Sequence, residues 1–464
     1  MIRQHWLYAA GLFLIGQVGF GAQAAAGELS KVDRLLQANG LQLAGSASPD
    51  ADFSMESLKG ANYSTLLWTW KSNVQKMGTP PGEIAWGRWA GDEKQMPPEE
   101  EEGAYMKKMV ALQLGDEPPI YQEKAFKKMV DWMSGAQANP AYKNVILFTD
   151  LSGVDDGTVG KYIRAAHPDM LTFDTYPWQS EFVGSGKEAH GGKPFDGPPV
   201  GLYYDLRRYR ADTVTTGTEY GLYRQTFHAV EDYGPKSGHQ MVYRNPTGSE
   251  LGLNTFAPLA FNAKMVIDFQ FTGGASSLFE HGVMKRPTVL YPRLAQVNRA
   301  AGLFGRALVR LTPINDVQNG AEPTTDVLFI RGEKKPGEYA AVYGGFRANG
   351  GDEKSYITQW TAYSTAEKLG KPEMAEDPWV TGFDVRNLGK VNAGLKGDAI
   401  IAWFKPIGMS KADAWEKGQV YFMVVNGLTS ANPRSIAADC EQCVQMDFSQ
   451  TPGEGIEYVD AVSG

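Results

Sequence analysis

The reading of this chain turns on Val110-Ala111-Leu112-Gln113-Leu114-Gly115-Asp116-Glu117-Pro118-Pro119. Val110, Leu112 and Leu114 alternate in a short apolar run that suits a buried strand, and Gly-Asp-Glu-Pro-Pro ends it before helical spacing begins near Tyr121. Two carboxylates are thereby held at the carboxyl end of a strand. Barrel and open α/β proteins gather their chemistry at that end, because the loops there converge on one cleft. Asp is also a favoured helix cap, so Asp116 capping the next helix with Glu117 facing water is the competing reading.

The units around this stretch repeat its pattern. Short apolar runs at 41–44, 63–70, 84–89, 110–114, 145–150, 171–176, 220–227 and 265–271 alternate with amphipathic or polar stretches. Phe126, Met129, Val130 and Met133 fall at helical spacing, as do Leu294, Val297, Ala301, Phe304 and Leu308. Eight strand–helix units predict an α/β fold, a (β/α)8 TIM barrel. The polar, Gly-rich segment 179–201 reads as a long loop over the cleft. From about residue 315 the texture changes to short strands between Gly, Pro and Asn turns, which predicts a C-terminal antiparallel β-sandwich. The expected division is a leader at 1–26, the barrel at 27–314 and the sandwich at 315–464.

At 464 residues and 42% hydrophobic content the chain can bury a large core. Its formal charge of −8, without a basic stripe, argues against a nucleic-acid partner. The start of the chain carries Arg3, an apolar stretch to Phe20 and small residues at Ala22, Ala24 and Ala26, the pattern of a secretory signal peptide. The expectation is export to the periplasm or the extracellular space, with no integral membrane span in the mature protein. The two cysteines, Cys440 and Cys443, then suit a small-loop disulfide; a redox dithiol or half a zinc site is the alternative.

On a barrel the acids fall on one rim. Asp116 and Glu117 follow the fourth strand, Asp150 ends the fifth, Asp174 ends the sixth, Glu231 follows the seventh and Glu280 the eighth. Trp68, Trp70, Trp86, Trp89, Tyr176 and Trp178 share that rim. Carboxylates among aromatic faces suit a carbohydrate, whose C–H faces stack on rings while its hydroxyls need charged acceptors; packing beneath the loops is the other use of such rings. The histidines show no metal-ligand spacing, and the chain has no G-x-S-x-G elbow, phosphate loop or dinucleotide fingerprint, so no metal and no cofactor is expected.

Leu114-Gly115-Asp116-Glu117-Pro118 resembles the strand-four acid motif of the clan A (β/α)8 glycoside hydrolases, with Asp where many members have Asn. Phe173-Asp174-Thr175-Tyr176-Pro177 is similar to an element after the sixth strand of related barrels, and the likeness spans roughly residues 40 to 311. The resemblance implies O-glycosyl hydrolysis of a poly- or oligosaccharide with Glu117 as general acid/base; for the partner carboxylate Asp174, which ends a neighbouring strand at the same cleft, is favoured over Asp150, Glu231 and Glu280. Asp116, Asp150, Trp68, Trp70, Trp86, Tyr176, Trp178, Gln225, His228 and Glu280 would contact substrate. One departure stands out. Retaining clan A members carry a nucleophilic Glu at the end of strand seven, whereas this chain reads Arg224-Gln225-Thr226-Phe227-His228. A non-catalytic carbohydrate-binding protein on the same scaffold is therefore the alternative.

Overall fold

The structure is a computed structural model of the whole chain. It describes residues 10–15, 29–47, 54–67, 84–91, 96, 106–152, 156–183, 190–194, 200–232, 240–283, 285–314, 327–331, 341–342, 380–391, 398–435, 437–448 and 456–459.

Eight parallel strands close into a barrel: β1 (Gln42–Ser46), β2 (Thr65–Leu67), β3 (Ala85–Ala90), β4 (Met109–Leu114), β5 (Ile146–Asp150), β6 (Met170–Asp174), β7 (Glu219–Gln225) and β8 (Met265–Phe269). Each strand pairs with the next and β8 pairs with β1. All six residues of β4 are buried, as a parallel strand covered on both faces requires. The helices outside it include α1 (Lys31–Asn39), α2 (Met55–Gly60), α3 (Glu123–Ala138), α4 (Asp156–Ala166), α5 (Val200–Thr216), α6 (Gly248–Ala260) and α7 (Leu290–Leu308). The expected TIM barrel is present.

Alternation along β7 sorts its side chains, because successive residues of a strand face opposite sides. Arg224 faces the helices: its guanidinium bonds both carboxylate oxygens of Asp268, at 2.5 and 2.8 Å, and also reaches Thr255 on α6 and Asn298 on α7. Tyr63 donates to the same Asp268. Tyr223 and Gln225 carry the opposite parity. A buried pair joined to three polar neighbours fixes β7, β8, α6 and α7 to one another.

Helix α6 is buried along almost its whole length, from Glu250 to Ala260. A helix apolar all round is covered all round. One side of α6 meets β7, and another meets strands Asp398–Pro406 and Val420–Asn426 of the C-terminal region. Its start is fixed by a capping box in which Thr247 and Glu250 exchange hydrogen bonds. At the opposite end of the barrel, buried Lys264 donates to Asn262 and to the carbonyls of Leu308 and Leu311. Leu311 opens the short strand Leu311–Pro313, which pairs with Asp398–Pro406.

After the barrel the described strands are antiparallel, as expected. Six of them join one strand from the start of the chain in a seven-stranded sheet, and the other two form a separate pair, Val380–Asn387 with Gln442–Phe448. Part of the segment expected to be a leader, Ala10–Ile15, runs between Val420–Asn426 and Ile456–Val459 in the large sheet; the small residues near Ala24 lie outside the described residues. The segment after β6, expected to be a bare loop, supplies Gln179–Val183 and His190–Pro194. These join Ala229–Asp232 and Gln240–Tyr243 in a four-stranded antiparallel sheet.

The expected Cys440–Cys443 disulfide is corrected: both cysteines are free. Cys440 ends a short 3-10 turn, Ala437–Cys440, and its buried thiol hydrogen-bonds Ser249 at the start of α6. Cys443 lies in the strand Gln442–Phe448, opposite Arg386. The turn and the strand give the two thiols different neighbours in place of each other.

Candidate active site

At the carboxyl ends of β4, β5 and β6 the chain delivers four carboxylic acids to a single cavity of about 370 Å³. Asp116 and Glu117 come from the turn after β4, and Asp150 and Asp174 are the last residues of β5 and β6. The turn begins at Gly115, whose φ of +78° is open to glycine at little cost, and Glu117 itself takes φ +43°. A non-glycine residue in that region stores roughly 1–2 kcal/mol, a cost characteristic of sites where side-chain direction matters. Asp116 thus lines the cavity rather than capping a helix, since α3 starts only at Glu123 and has no side-chain cap.

The four acids act on one another. Glu117 is pushed up to about 7, first by loss of hydration and then by the negative charge of Asp174, with which it also hydrogen-bonds. Asp116 contributes in the same direction, and a hydrogen bond with Ser152 opposes. Asp150, 1% exposed, is held well above the ordinary carboxylate range by burial and then by Asp174, despite the 2.7 Å hydrogen bond that Thr172 donates to it. Asp116 is raised by burial and by Asp174, against a 3.0 Å hydrogen bond from Gln113. Gln113 in turn accepts from the Tyr223 hydroxyl, so a polar chain runs from β7 through β4 to the acid turn. Like charges this close raise one another's pKa, and the Glu117 carboxyl keeps its proton up to about pH 7.

The other wall is aromatic. Tyr176, Tyr223, Phe227 and Phe269 line the cavity with Gln270, Ala229 and Ala275. Tyr176 packs edge-on against Phe227 at 4.8 Å between ring centroids and against Tyr243 at 6.0 Å. Acids from the ends of β4 to β6 and rings from the ends of β6 to β8 form an amphipathic cleft.

Of the expected site residues, Glu117, Asp174, Asp116, Asp150 and Tyr176 meet in this cavity. Trp68 and Trp70 lie outside the described residues. Four others do not line the cavity. Trp86 is fully buried within β3, where it packs as core, and Trp178 is 3% exposed beneath the Arg244 guanidinium. His228 and Glu280 are exposed, but neither is among the described residues that line the cavity.

Gln225 is a fifth. It is fully buried and its amide is used up on backbone: it accepts from Trp178 N–H at 3.0 Å and donates to the carbonyls of Trp178 at 3.0 Å and Arg244 at 2.9 Å. The residue where a strand-seven carboxylate was sought is a fastener for the loops after β6 and β7. Tyr223, Phe227, Phe269 and Gln270 were missed by sequence reasoning. The first three follow from parity: in a barrel, Tyr223 stands opposite Asp174 and Gln225 opposite Phe269, so residues flanking a known rim acid can be counted across the strands.

Among the described residues no group of three or more His, Cys, Asp or Glu is arranged to hold a metal ion, and no helix is long and apolar enough to cross a membrane.

No family model matches the chain, and no curated protein matches it. Solved structures do resemble it. An endo-β-1,3-glucanase from Amycolatopsis mediterranei is 12% identical over 56% of this chain and 100% of its own, with a TM-score of 0.33. The spore cortex-lytic enzyme of Bacillus cereus is 8% identical, covering 56% of this chain and 74% of its own, at 0.31. An aldolase from Escherichia coli K12 is also 8% identical, covering 60% and 94%, at 0.30. The neighbours span unlike chemistries, and at these scores none of that chemistry carries over to this chain.

Proposed function

We propose that this chain is a glycoside hydrolase acting on a poly- or oligosaccharide, with Glu117 as the proton donor and Asp174 as the second carboxylate. The observation that supports this reading most is the Glu117–Asp174 contact in a cleft walled by rings, with Glu117 titrating near 7. Cleaving a glycosidic bond near neutral pH needs one carboxyl group that still carries a proton and one that is ionised, and environments that separate two pKa values supply that pair. Without ligand the two groups share a proton. A glycosidic oxygen entering between them takes the hydrogen bond from Glu117 and leaves Asp174 ionised beside the anomeric carbon. Asp150 and Asp116 flank the pair and receive hydroxyls, while Tyr176 and Phe227 offer ring faces to the sugar. Export and a C-terminal β-sandwich packed beside the barrel belong to the same reading.

The competing reading is a carbohydrate-binding protein without turnover. Gln225 favours it, since the amide stands where the resembled hydrolases carry a nucleophile. A glycan panel measured for both binding and release of reducing ends separates the two. Turnover that disappears in Glu117→Gln supports hydrolysis; binding without turnover on every bound glycan supports the alternative.

A further inference from the structure

We infer that the C-terminal sheet sets the aromatic wall of the cavity through a relay of hydrogen bonds that ends in ring packing, in which Glu250 and Arg244 are positioning residues. The relay begins just past the strand Val420–Asn426. Ser430 is held at both backbone groups: its N–H donates to the Ser249 hydroxyl at 3.0 Å, and its carbonyl accepts from Thr247 at 2.7 Å. Thr247 and Glu250 form the cap of α6, with Thr247 N–H donating to Glu250 at 2.8 Å. The Glu250 carboxylate, 2% exposed, takes both terminal nitrogens of Arg244, one of them at 2.8 Å.

Arg244 then acts twice on the loop after β6. Its guanidinium lies over the Trp178 ring at 5.9 Å, and its backbone N–H donates to the Trp178 carbonyl at 3.0 Å. Gln225 clamps the same two residues from inside the barrel. Trp178 is two residues from Tyr176, and Tyr243, next to Arg244, packs against the Tyr176 ring. Every link but the guanidinium–ring and ring–ring packing is a hydrogen bond between groups that are buried or half-buried, so a shift of Ser430 has few ways to relax before it reaches Tyr176. The bidentate Arg–carboxylate pair is the stiffest link, because it fixes a plane as well as a distance.

This coupling extends the hydrolase reading in its kinetic half and stands without it in its structural half. The test uses the full chain with Glu250→Gln, which keeps the α6 cap but loses the ion pair, and Ser249→Ala, which releases the Ser430 N–H together with the contacts of the Ser249 hydroxyl to Thr247 and Cys440. Hydrogen exchange should quicken in both variants across residues 176–179, with β5 unchanged. On a cleaved oligosaccharide Glu250→Gln should raise KM about three- to tenfold, the size of one misplaced aromatic contact, with kcat nearly constant. On a Tyr176→Ala background the same change should add almost nothing. Unchanged exchange at 176–179 in both variants, or a full additive effect with Tyr176→Ala, overturns the relay. Where no glycan is cleaved, the hydrolase reading falls and the exchange result alone decides the relay.

Discussion

The carboxyl groups of Glu117 and Asp174 are hydrogen-bonded to each other. That contact is closer than the roughly 5–5.5 Å of a retaining pair or the 6.5–9.5 Å of an inverting one. It is the arrangement of two acids sharing one proton, and it makes a prediction for a saccharide complex: the groups must separate to admit the scissile oxygen. A structure with a bound oligosaccharide should show them in one of those two ranges, and the range found assigns retention or inversion.

The pH profile follows from Glu117. The acid works protonated, and its proton is lost as pH rises through about 7. Log kcat/KM should therefore fall above about pH 7, approaching one unit per pH unit. The stability sign agrees: the folded state holds this proton more tightly than the unfolded chain, so its contribution is complete below the ordinary carboxylate range and is lost as pH rises through about 7. A flat kcat/KM between pH 6 and 9 is the contrary result.

Asp150 extends that logic to stability alone. Its carboxyl is raised well above the usual value by burial, so folding becomes less favourable as pH climbs past the point where the unfolded chain would ionise. Asn keeps an acceptor for Thr172 and carries no charge. Asp150→Asn should raise Tm at pH 8 and leave it nearly unchanged at pH 4. Thermal unfolding at both pH values checks this, and equal shifts at the two would contradict it.

Gln225→Glu looks like the restoration of a strand-seven nucleophile, yet the structure predicts damage. A carboxylate there faces the carbonyls of Trp178 and Arg244, with two donors replaced by acceptors. Leaving buried polar groups unpaired costs about 1–3 kcal/mol each. Urea unfolding should show a loss of that order, larger at pH 8 than at pH 5, and saccharide turnover should not increase. A gain in turnover would mean the β7 end reaches the substrate.

Charge selects the ligand. All the ionisable carboxyl and amino groups among the described lining residues are acids, so anionic sugars meet repulsion in a poorly hydrated cleft while a cationic sugar mimic meets partners on both walls. An iminosugar should bind more tightly than its neutral analogue, with the difference shrinking in Glu117→Gln. Calorimetry with neutral, uronate and imino ligands measures this; a uronate that binds best would contradict it.

Much of this was readable from the sequence, and the reason is geometric. Barrel strands buried on both faces write continuous apolar runs, and their ends are marked by the acids themselves, which is why Asp116, Glu117, Asp150 and Asp174 could be placed on one rim. The aromatic residues were not separable in the same way. Trp86 and Tyr176 are both ring residues near strand ends, but Trp86 packs inside β3 and Tyr176 sits one turn past β6, a difference of side that composition does not record. The three bonds of Gln225 could not be read from the sequence because they go to backbone far along the chain. The Cys440–Cys443 spacing pointed to a bridge until the turn and the strand were seen to give the two thiols separate neighbours.

The most direct test of the account is the dependence of kcat/KM on leaving group in wild type and Glu117→Gln. With aryl glycosides of graded phenol acidity, the variant should lose about 10²–10⁴-fold on poor leaving groups, which need the proton, and little on the best ones, which leave without it. Substrate binding should hold, since the amide keeps the shape of the acid. Equal losses across the series, or none, would contradict Glu117 as the proton donor.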